Sequence, residues 1–360
     1  MRTGSQVLVF PAWQDNPFLN LLQLSAASRG YEFLSATTWP SLQQQMNRLQ
    51  AGDVMHLHWT SPILQSLSSE GDARARLDEM RRALTQLTTR GVHIVWTLHN
   101  RLPHETHFRE LEVELYRAIS DAADAIHIMN PQTADVVADI VQLDPDKLRV
   151  IPHPSYAGVY DSGADRVSAR DSFELGHSDH AALFLGQIRP YKGVDVLVEA
   201  AGRAKRDLVL MLAGAVKDMQ PEEFLESLPD DLRTVTQFGF VPDAELARWF
   251  LAADVAVFPY RQILNSGSVH LAATFHVPVI IPGEPHLRHQ FGGERWVQFF
   301  DTDRAADSIA ELLSDDQLFA DVTSEDFELF NNPISPWKVA QQYSTMLEGL
   351  PRPVQLAVSL

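Results

Sequence analysis

The sequence predicts an α/β fold made of two domains in tandem, each a doubly wound parallel sheet. Its 360 residues suit two ordinary domains better than one. Short apolar runs alternate with amphipathic stretches along most of the chain, as in strand–helix–strand units. A segment rich in Pro, Gly, Ser and Asp interrupts this rhythm near the middle. We therefore expect domains at 1–155 and 180–335, a linker at 156–179 and a final helix and tail at 336–360.

Six apolar runs in the first half are predicted strands, because each is β-branched or aromatic and too short for a helix. They are Gln6–Phe10, Tyr31–Leu34, Val54–His58, Val92–Leu98, Ala125–Met129 and Leu148–Ile151. The amphipathic stretches between them predict helices at Phe18–Ser28, Asp72–Arg90, His104–Ala122 and Pro131–Ile140. Asn16 and Pro17 form a good cap and first-turn pair for the first of these helices.

The same alternation resumes in the second half after one short helix near the end of the linker. Strands are predicted at Ala181–Leu185, Leu208–Leu212, Val235–Phe240, Val255–Pro259, Val279–Ile281 and Val297–Phe300. Helices are predicted at Val194–Arg203, Pro221–Leu228, Asp243–Ala252, Val269–Phe275 and Ala305–Leu313, with a last one at Trp337–Leu347. Helices at this spacing cover both faces of a parallel sheet.

Composition narrows the classes of function. The chain is 45% hydrophobic and 21% charged, which excludes disorder, and it has no cysteine, which excludes disulfides, zinc thiolates and cysteine nucleophiles. A formal net charge of −18 opposes nucleic-acid binding. No apolar run approaches the ~20 residues of a membrane span, and the N-terminal residues do not resemble a signal peptide. We therefore expect a cytoplasmic protein.

The negative charge is concentrated in the second half. Residues 156–360 hold 16 basic and 30 acidic side chains, a net charge of −14, whereas residues 1–155 hold 13 and 17, a net charge of −4. An anionic ligand bound in the second half must therefore meet locally placed cations.

A turn that fits this requirement is Gly186–Gly193, with the sequence GQIRPYKG. It follows the first strand of the second domain and leads into a helix, where free N–H groups and the helix dipole favour anions. Arg189 and Lys192 add two cations, so the turn is predicted to hold a phosphate. The alternative is an ordinary surface turn whose cations pair with nearby carboxylates.

A second anion-suited turn lies at Asn265–Ser268, between the strand ending near Phe258 and the next helix. It offers small side chains, a capping hydroxyl and a glycine that permits close approach of the backbone. Ser266, Gly267 and Ser268 would bind phosphate through amides rather than through cations. The alternative is an ordinary N-capped helix.

These motifs resemble the group 1 (family 4) glycosyltransferases, clearly over about residues 181–282. GQIRPYKG followed by VDVLVEA is similar to that family's glycine–basic–lysine–glycine turn. VAVFPYRQ, SGS and AATFHVPVII resemble its donor-domain signature, and VWTLHN in the first half resembles its strand ending in a histidine. The resemblance implies the GT-B architecture, in which two Rossmann-like domains face each other across a cleft and the C-terminal helix crosses back to the first domain.

The resemblance also implies an activity, the transfer of a hexosyl group from a UDP- or GDP-linked sugar to a glycan, lipid-linked or small-molecule acceptor, as in polysaccharide biosynthesis. Retention of configuration is expected, with neither metal nor cofactor required. The second domain would bind the nucleotide and the first the acceptor. The implied diphosphate contacts are Gln187, Arg189, Lys192, Ser266, Gly267 and Ser268, of which Arg189 and Lys192 would also be catalytic by stabilising the leaving group.

Two departures from the family pattern concern the donor site. The family has arginine directly after the first glycine of the turn, where this chain has Gln187, and Arg189 is expected to supply the guanidinium instead. The family's paired glutamates correspond to Ile263 and Leu271 in this chain. The ribose must therefore be held differently, or donor binding is altered.

The first domain offers histidines at two strand ends. His58 and Trp59 end one predicted strand and could form the floor of an acceptor pocket, or belong to a packed loop. His99 and Asn100 end another, and the resemblance gives His99 a catalytic role near the donor sugar. The alternative for His99 is a structural histidine bonded to the backbone.

His104 and Glu105 follow Pro103 at the predicted start of a helix. They are expected to contact the acceptor or to cap that helix. A metal site is disfavoured, because the histidine spacing of HETH is not that of H-E-x-x-H.

Three readings remain open beside a catalytic transferase. One is a catalytically silent nucleotide- or glycan-binding relative, favoured by the missing glutamates. Others are a sugar-nucleotide epimerase and a nicotinamide oxidoreductase, although neither first strand is followed by G-x-G-x-x-G. The basic helix near 73–90 allows transient contact with the inner membrane surface, but acidic residues interrupt it, so a solvated helix face is preferred.

Overall fold

The computed structural model describes residues 5–13, 16–160, 163, 165–204 and 208–351, and the chain forms two compact units. The first unit comprises Met1–Pro154 together with Pro336–Leu360, and the second comprises Ser155–Ser335. The C-terminal helix thus belongs to the first unit. The range expected to be a linker groups with the second unit and contains the helix α7 (Arg166–Ser172). The functions assigned to the two halves stay predictions.

The first unit is built on a six-stranded parallel sheet with the order β2-β1-β3-β4-β5-β6. Its strands are β1 (Gln6–Phe10), β2 (Glu32–Ser35), β3 (Val54–Leu57), β4 (His93–Thr97), β5 (Ala125–Ile128) and β6 (Leu148–Val150). Its helices are α1 (Pro17–Ser28), α2 (Trp39–Met46), α3 (Ser61–Leu64), α4 (Glu70–Thr89), α5 (Arg109–Ala122), α6 (Thr133–Val136) and α15 (Pro336–Glu348), and α15 packs on α1.

The second unit has a similar six-stranded parallel sheet with the order β12-β11-β10-β7-β8-β9. Its strands are β7 (His180–Leu185), β8 (Leu208–Gly214), β9 (Thr234–Phe238), β10 (Val255–Val257), β11 (Val279–Pro282) and β12 (Val297–Phe300). After α7, its helices are α8 (Val194–Arg203), α9 (Pro221–Glu226), α10 (Asp243–Ala252), α11 (Gly267–Thr274), α12 (Pro285–Phe291), α13 (Ala305–Leu313) and α14 (Ser324–Asn331).

Burial explains why these runs form strands. Every residue of β1, β3, β5, β8, β10 and β11 is buried, as expected for strands covered by helices on both faces. Asn16 caps α1 as predicted, and its side chain accepts a hydrogen bond from Phe18 N at 3.1 Å. The predicted α/β class with two doubly wound, Rossmann-like units is confirmed.

Two predicted helices are shorter than expected. The helix predicted over His104–Ala122 begins at Arg109, so His104 and Glu105 lie in a loop rather than in a first helical turn. The helix predicted over Pro131–Ile140 is regular only over Thr133–Val136. Helices α2, α3, α12 and α14 were not predicted, although Thr38 and Thr323 form capping boxes before two of them.

Each sheet has a switch point, where helical connections leave in opposite directions and ligands collect at the carboxyl ends of the strands. In the first unit it lies between β1 and β3, and in the second between β7 and β10. The two predicted anion turns follow β7 and β10, which pair directly in parallel. They therefore lie side by side at the switch point of the second unit.

Among the described residues, no helix combines the length and the apolar character needed to cross a bilayer.

Candidate functional site

The first predicted anion turn, Gly186–Gly193, connects β7 to α8 and is fixed by backbone hydrogen bonds to the segment after β8. Ile188 N donates to Ala215 O at 2.9 Å, and Lys217 N donates to Ile188 O at 3.0 Å, so the turn continues the pairing of β7 with β8. A short 3₁₀ turn over Pro190–Lys192 then leads to Gly193, directly before α8. Arg189 and Lys192 are thereby carried to the N-terminal end of α8.

Gly193 is required by two independent features of this turn. Its φ of +68° lies in the left-handed region. A Cβ atom at this position would also overlap the carbonyl oxygen of Pro259, which follows β10. The absent side chain therefore lets the β7–α8 turn touch the β10–α11 segment.

The two turns also meet through side chains. The Lys192 ammonium lies 3.9 Å from the centre of the Tyr260 ring, and the Tyr260 hydroxyl lies 3.3 Å from Ser268 Oγ. Tyr260 itself is buried. A cation above an aromatic face is attracted to it, so Tyr260 places the Lys192 charge beside the N-terminus of α11.

Arg261 is a residue of this site that the sequence analysis missed. Its guanidinium binds Asp195 through two nearly parallel hydrogen bonds of 2.9 and 2.5 Å and also donates to the carbonyl oxygen of Pro190. Its backbone N donates to Tyr191 O at 2.9 Å. Arg261 thus fastens the β10–α11 segment to the β7–α8 turn. In the sequence, Arg261 directly follows the FPY segment that ends a predicted strand. This position is the feature that could have identified it as a site residue.

The three small residues of the second turn divide into two roles. Ser266 is buried and caps α11, with its hydroxyl accepting from Val269 N at 3.4 Å. His270 Nδ1 donates to the carbonyl oxygen of Ser266 at 2.9 Å, which stiffens the cap. Gly267 and Ser268 form the first turn of α11, where amide N–H groups are free of intrahelical partners. Those two amides suit an anion.

The remaining predicted donor residues lie in the same turn. Arg189 is partly buried, and its Nε donates to Gln187 Oε1 at 2.9 Å, while Gln187 is exposed. Gln187 therefore orients the guanidinium of Arg189. That Arg189 serves where the family has an earlier arginine stays a prediction.

The positions of the family's glutamates hold apolar side chains that cannot bind a ribose. Leu271 is buried within α11, and Ile263 is partly buried in the loop before it.

The first unit gathers aromatic and histidine side chains at the carboxyl ends of β1, β3 and β4. Trp59 stacks on His99 with ring centres 4.0 Å apart and 15° between the planes, and Trp13 lies 4.7 Å from Trp59. His58 Nδ1 lies 3.0 Å from His99 Nε2, so the two imidazoles share a hydrogen bond. The structure therefore brings His58, Trp59 and His99 together, and Asn100 follows with its carbonyl oxygen accepting from the Tyr116 hydroxyl at 3.4 Å.

A buried chain of hydrogen bonds runs beneath this cluster. A carbonyl oxygen only accepts, so His127 Nε2 donates to Ile151 O at 2.8 Å and leaves Nδ1 to accept from the Thr97 hydroxyl at 3.0 Å. Thr97 in turn accepts from His56 Nε2 at 2.7 Å, and His56 Nδ1 accepts from the Tyr343 hydroxyl of α15 at 2.8 Å. With both histidines neutral, every donor direction along the chain follows from the last carbonyl.

Electrostatics agrees with neutral histidines. Burial, and after it the neighbouring imidazoles, holds the pKa of His56, His58 and His99 well below 6.5. Burial lowers the pKa of His127 to about 4. The imidazole of His99 is therefore uncharged at neutral pH.

The loop that carries His104 and Glu105 exposes both side chains. They lie apart from a helical first turn, so the expected capping of a helix by these residues is wrong. The amides at the true helix start, those of His107 and Phe108, donate instead to Gln65 Oε1 at 2.7 and 3.3 Å. Within the part of the chain that the structure describes, no group of three or more His, Asp or Glu side chains has the arrangement to hold a metal ion.

Comparison with known proteins shows which family the second unit is similar to. Residues 179–315 match the model of the family described as glycosyl transferases group 1. The GDP-mannose:glycolipid 4-beta-D-mannosyltransferase of Xanthomonas campestris pv. campestris is 32% identical over 242 residues, which cover 64% of this chain and 61% of that protein. The D-inositol 3-phosphate glycosyltransferase of Mycobacteroides abscessus is 27% identical over 203 residues, covering 54% of this chain and 45% of that protein. The chain thus spans about half to three fifths of the length of these relatives.

Solved structures agree at the level of the fold. Anabaena HepE in complex with UDP and glucose superposes with a TM-score of 0.71 over 96% of this chain and 100% of its own, at 14% identity. WaaG, a glycosyltransferase involved in lipopolysaccharide biosynthesis, has a TM-score of 0.64 over 96% and 100%, at 13% identity. Residues 179–315 are therefore similar to the group 1 glycosyltransferases, and the chain has a fold of the GT-B type.

Proposed function

We propose that this protein transfers a mannosyl group from GDP-mannose to a glycolipid acceptor. The observation that carries the proposal is the meeting of two anion-suited turns, from the paired strands β7 and β10, at the switch point of the second unit. The named activity of the Xanthomonas relative supports the choice of donor and acceptor. A silent relative or an epimerase is not favoured, since both named relatives are transferases.

The chemistry of transfer needs a site for growing negative charge. As the bond between the anomeric carbon and the diphosphate oxygen breaks, the electron pair stays with the diphosphate. Lys192 and Arg189 supply cations, and the amides of Gly267 and Ser268 supply fixed donors. Fixed charges and dipoles stabilise a developing anion without reorganising during the reaction. From the resemblance we propose that the acceptor binds to the first unit, near His99, His58 and Trp59. We propose further acceptor contacts at Asn100, His104 and Glu105.

Stereochemistry separates two routes for this transfer. The resemblance implies retention, whereas the name of the Xanthomonas relative specifies a β-linked mannoside. A donor whose sugar is α-linked to the diphosphate gives a β product only by inversion, which requires a base for the acceptor hydroxyl. The one-bond coupling between C1 and H1 of the product, measured by NMR, distinguishes the two outcomes.

Calorimetric titration with GDP, UDP, ADP and dTDP, with and without magnesium, tests the donor site. We expect GDP to bind most tightly, with an affinity that magnesium does not change. Lys192→Ala should weaken GDP binding at least about tenfold, because it removes a charge-assisted contact of about 1.5–3 kcal/mol. Lys338→Ala, which removes a lysine of the first unit, should leave GDP affinity unchanged. Equal GDP binding by wild type and Lys192→Ala would refute the proposed anion site, and no nucleotide binding at all would favour a silent relative.

A further inference from the structure

A fully buried carboxylate lies beneath the two loops that carry the predicted acceptor residues. Glu112, in the first turn of α5, has none of its surface exposed. Its two oxygens accept hydrogen bonds from the Thr60 hydroxyl and from Gln65 Nε2, the latter at 2.6 Å. Burial raises the pKa of Glu112, and these two hydrogen bonds oppose the rise. Carboxylates are rarely buried so completely, since burial penalises their charge.

The direction of these hydrogen bonds orients Gln65. A carboxylate oxygen accepts and does not donate, so the Gln65 amide must turn its NH₂ toward Glu112. Its Oε1 then faces the opposite way, where it accepts from His107 N at 2.7 Å and from Phe108 N at 3.3 Å. Phe108 is the N-cap residue of α5 and provides no side-chain cap of its own. Gln65 therefore holds the two residues that precede α5 from another loop, and its hydrogen bond to Glu112 stabilises the orientation in which its oxygen faces their amides.

The same contacts join the loops that follow two neighbouring strands. Gln65 lies just beyond α3, in the connection after β3 that also carries His58 and Trp59, whereas His107 and Phe108 end the loop after β4. The buried Thr60, directly after Trp59, is the second anchor of the first loop on Glu112. Glu112 thus lies where the loops meet.

We propose that Glu112 is a positioning residue of the acceptor site, which orients Gln65 so that the 99–108 loop is held against the loop of His58 and Trp59. The inference rests on the proposed function, which gives these loops their acceptor role. Glu112 is buried and acts through Gln65 and Thr60. Its loss should therefore raise the KM for the acceptor. It should leave kcat and GDP affinity unchanged, because His99 keeps its own contacts with Trp59 and His58.

The first test is Glu112→Gln, which preserves shape but replaces one acceptor oxygen by a donor. The amide at 112 can turn its NH₂ to the Thr60 hydroxyl, which then accepts, but its oxygen no longer carries a charge. The hydrogen bond that holds the Gln65 NH₂ therefore becomes weaker, and Gln65 is held less firmly with its oxygen toward the two backbone N–H groups. We expect the acceptor KM to rise about tenfold, the equivalent of one lost buried hydrogen bond. Hydrogen exchange at the His107 and Phe108 amides should accelerate in the same variant. Glu114→Gln, on the same helix but partly exposed and paired with Arg81, is the matched control and should change neither quantity.

The second test exchanges the two side chains in the double variant Gln65→Glu, Glu112→Gln. The amide at 112 then donates to the carboxylate at 65, whose other oxygen accepts the backbone N–H groups at the α5 N-terminus, where negative charge is favourable. We expect the acceptor KM to return to within about twofold of wild type. If the fold simply required a charge at position 112, the double variant would not recover the acceptor KM.

Two results would overturn the inference. If Glu112→Gln lowers kcat at an unchanged acceptor KM and the exchange variant does not recover, Glu112 takes part in proton transfer instead. If amide exchange at His107 and Phe108 is the same in wild type and Glu112→Gln, Glu112 does not orient the cap. Hydrogen exchange can be measured without any enzymatic turnover. If the wild-type protein transfers no sugar, that result contradicts the proposed function, whereas the role of Glu112 in orienting Gln65 is still tested by hydrogen exchange.

Discussion

Gly193 shows how far the proposed donor site depends on one backbone position. Its φ of +68° and the nearness of Pro259 O leave no room for a side chain. Lys192, directly before it, depends on that conformation to lie above the Tyr260 ring. The turn is therefore a rigid support for a cation in a half of the chain whose net charge is strongly negative.

Gly193→Ala should damage both stability and nucleotide binding. We expect a loss of about 2 kcal/mol or more in the free energy of unfolding, from left-handed strain and the overlap with Pro259. GDP affinity should fall because Lys192 is displaced. Gly202→Ala is the control, because a Cβ atom in that α8 position meets nothing within 4 Å, and it should stabilise the helix by about 0.5–1 kcal/mol. Urea unfolding and calorimetry measure the two quantities, and unchanged values in Gly193→Ala would contradict this account of the turn.

At the scale of elements, the proposed donor site is the junction of two strand–helix turns, which Arg261 fastens together. The Asp195 side of the contact is exposed, so the ion pair itself contributes little to global stability. Its effect is local, because it fixes the relative position of the cations after β7 and the amides at the start of α11.

Arg261→Ala should weaken GDP binding without changing the stability of the fold. We expect GDP affinity to fall about tenfold as the two turns lose their alignment, while the urea midpoint changes little. Arg304→Ala is the control. It removes a comparable exposed ion pair elsewhere in the same unit, in which the guanidinium donates to the two Glu311 oxygens at 2.9 and 2.7 Å. It should change neither the GDP affinity nor the urea midpoint. Full GDP affinity in Arg261→Ala would show that the turns align without this contact.

The helix α5 illustrates an element whose start is not determined locally. Apolar periodicity and Pro103 favour a helix from His104 onward, yet regular structure begins at Arg109. The cap for this helix, Gln65, comes from a loop about forty residues earlier in the chain. No local capping residue marks the boundary.

At the scale of the whole molecule, buried neutral histidines make stability depend on pH. Burial lowers the pKa of His127 in the first unit and of His270 in the second to about 4. Between about pH 6.5, the ordinary value for histidine, and pH 4 the unfolded chain binds more protons than the folded one. Stability that is fully present above pH 6.5 is therefore lost as the pH falls.

We expect each of these two histidines to cost about 2 kcal/mol of the free energy of unfolding between pH 7.5 and pH 5, from the linkage of a group shifted by more than two pKa units. Urea unfolding at a series of pH values measures the slope. His127→Gln should reduce that slope as well as lower stability at pH 7.5. A free energy of unfolding that stays constant between pH 7.5 and pH 5 would contradict the burial of these groups in neutral form.

Periodicity and residue type are local properties, so they were enough to predict the layered α/β class and the strands of both sheets. They also predicted the turn with Arg189 and Lys192, since a basic glycine-flanked turn after a strand is recognisable without its surroundings, although the roles of these residues stay predictions. The partners that support these residues could be identified only in the folded chain. Tyr260 beneath Lys192, Arg261 on Asp195 and Glu112 behind Gln65 join residues of different segments, and such partners are chosen by the packing of the sheets. The C-terminal helix belongs to the first unit for the same reason, because Tyr343 completes a buried hydrogen-bond chain that begins about two hundred residues earlier, at Ile151.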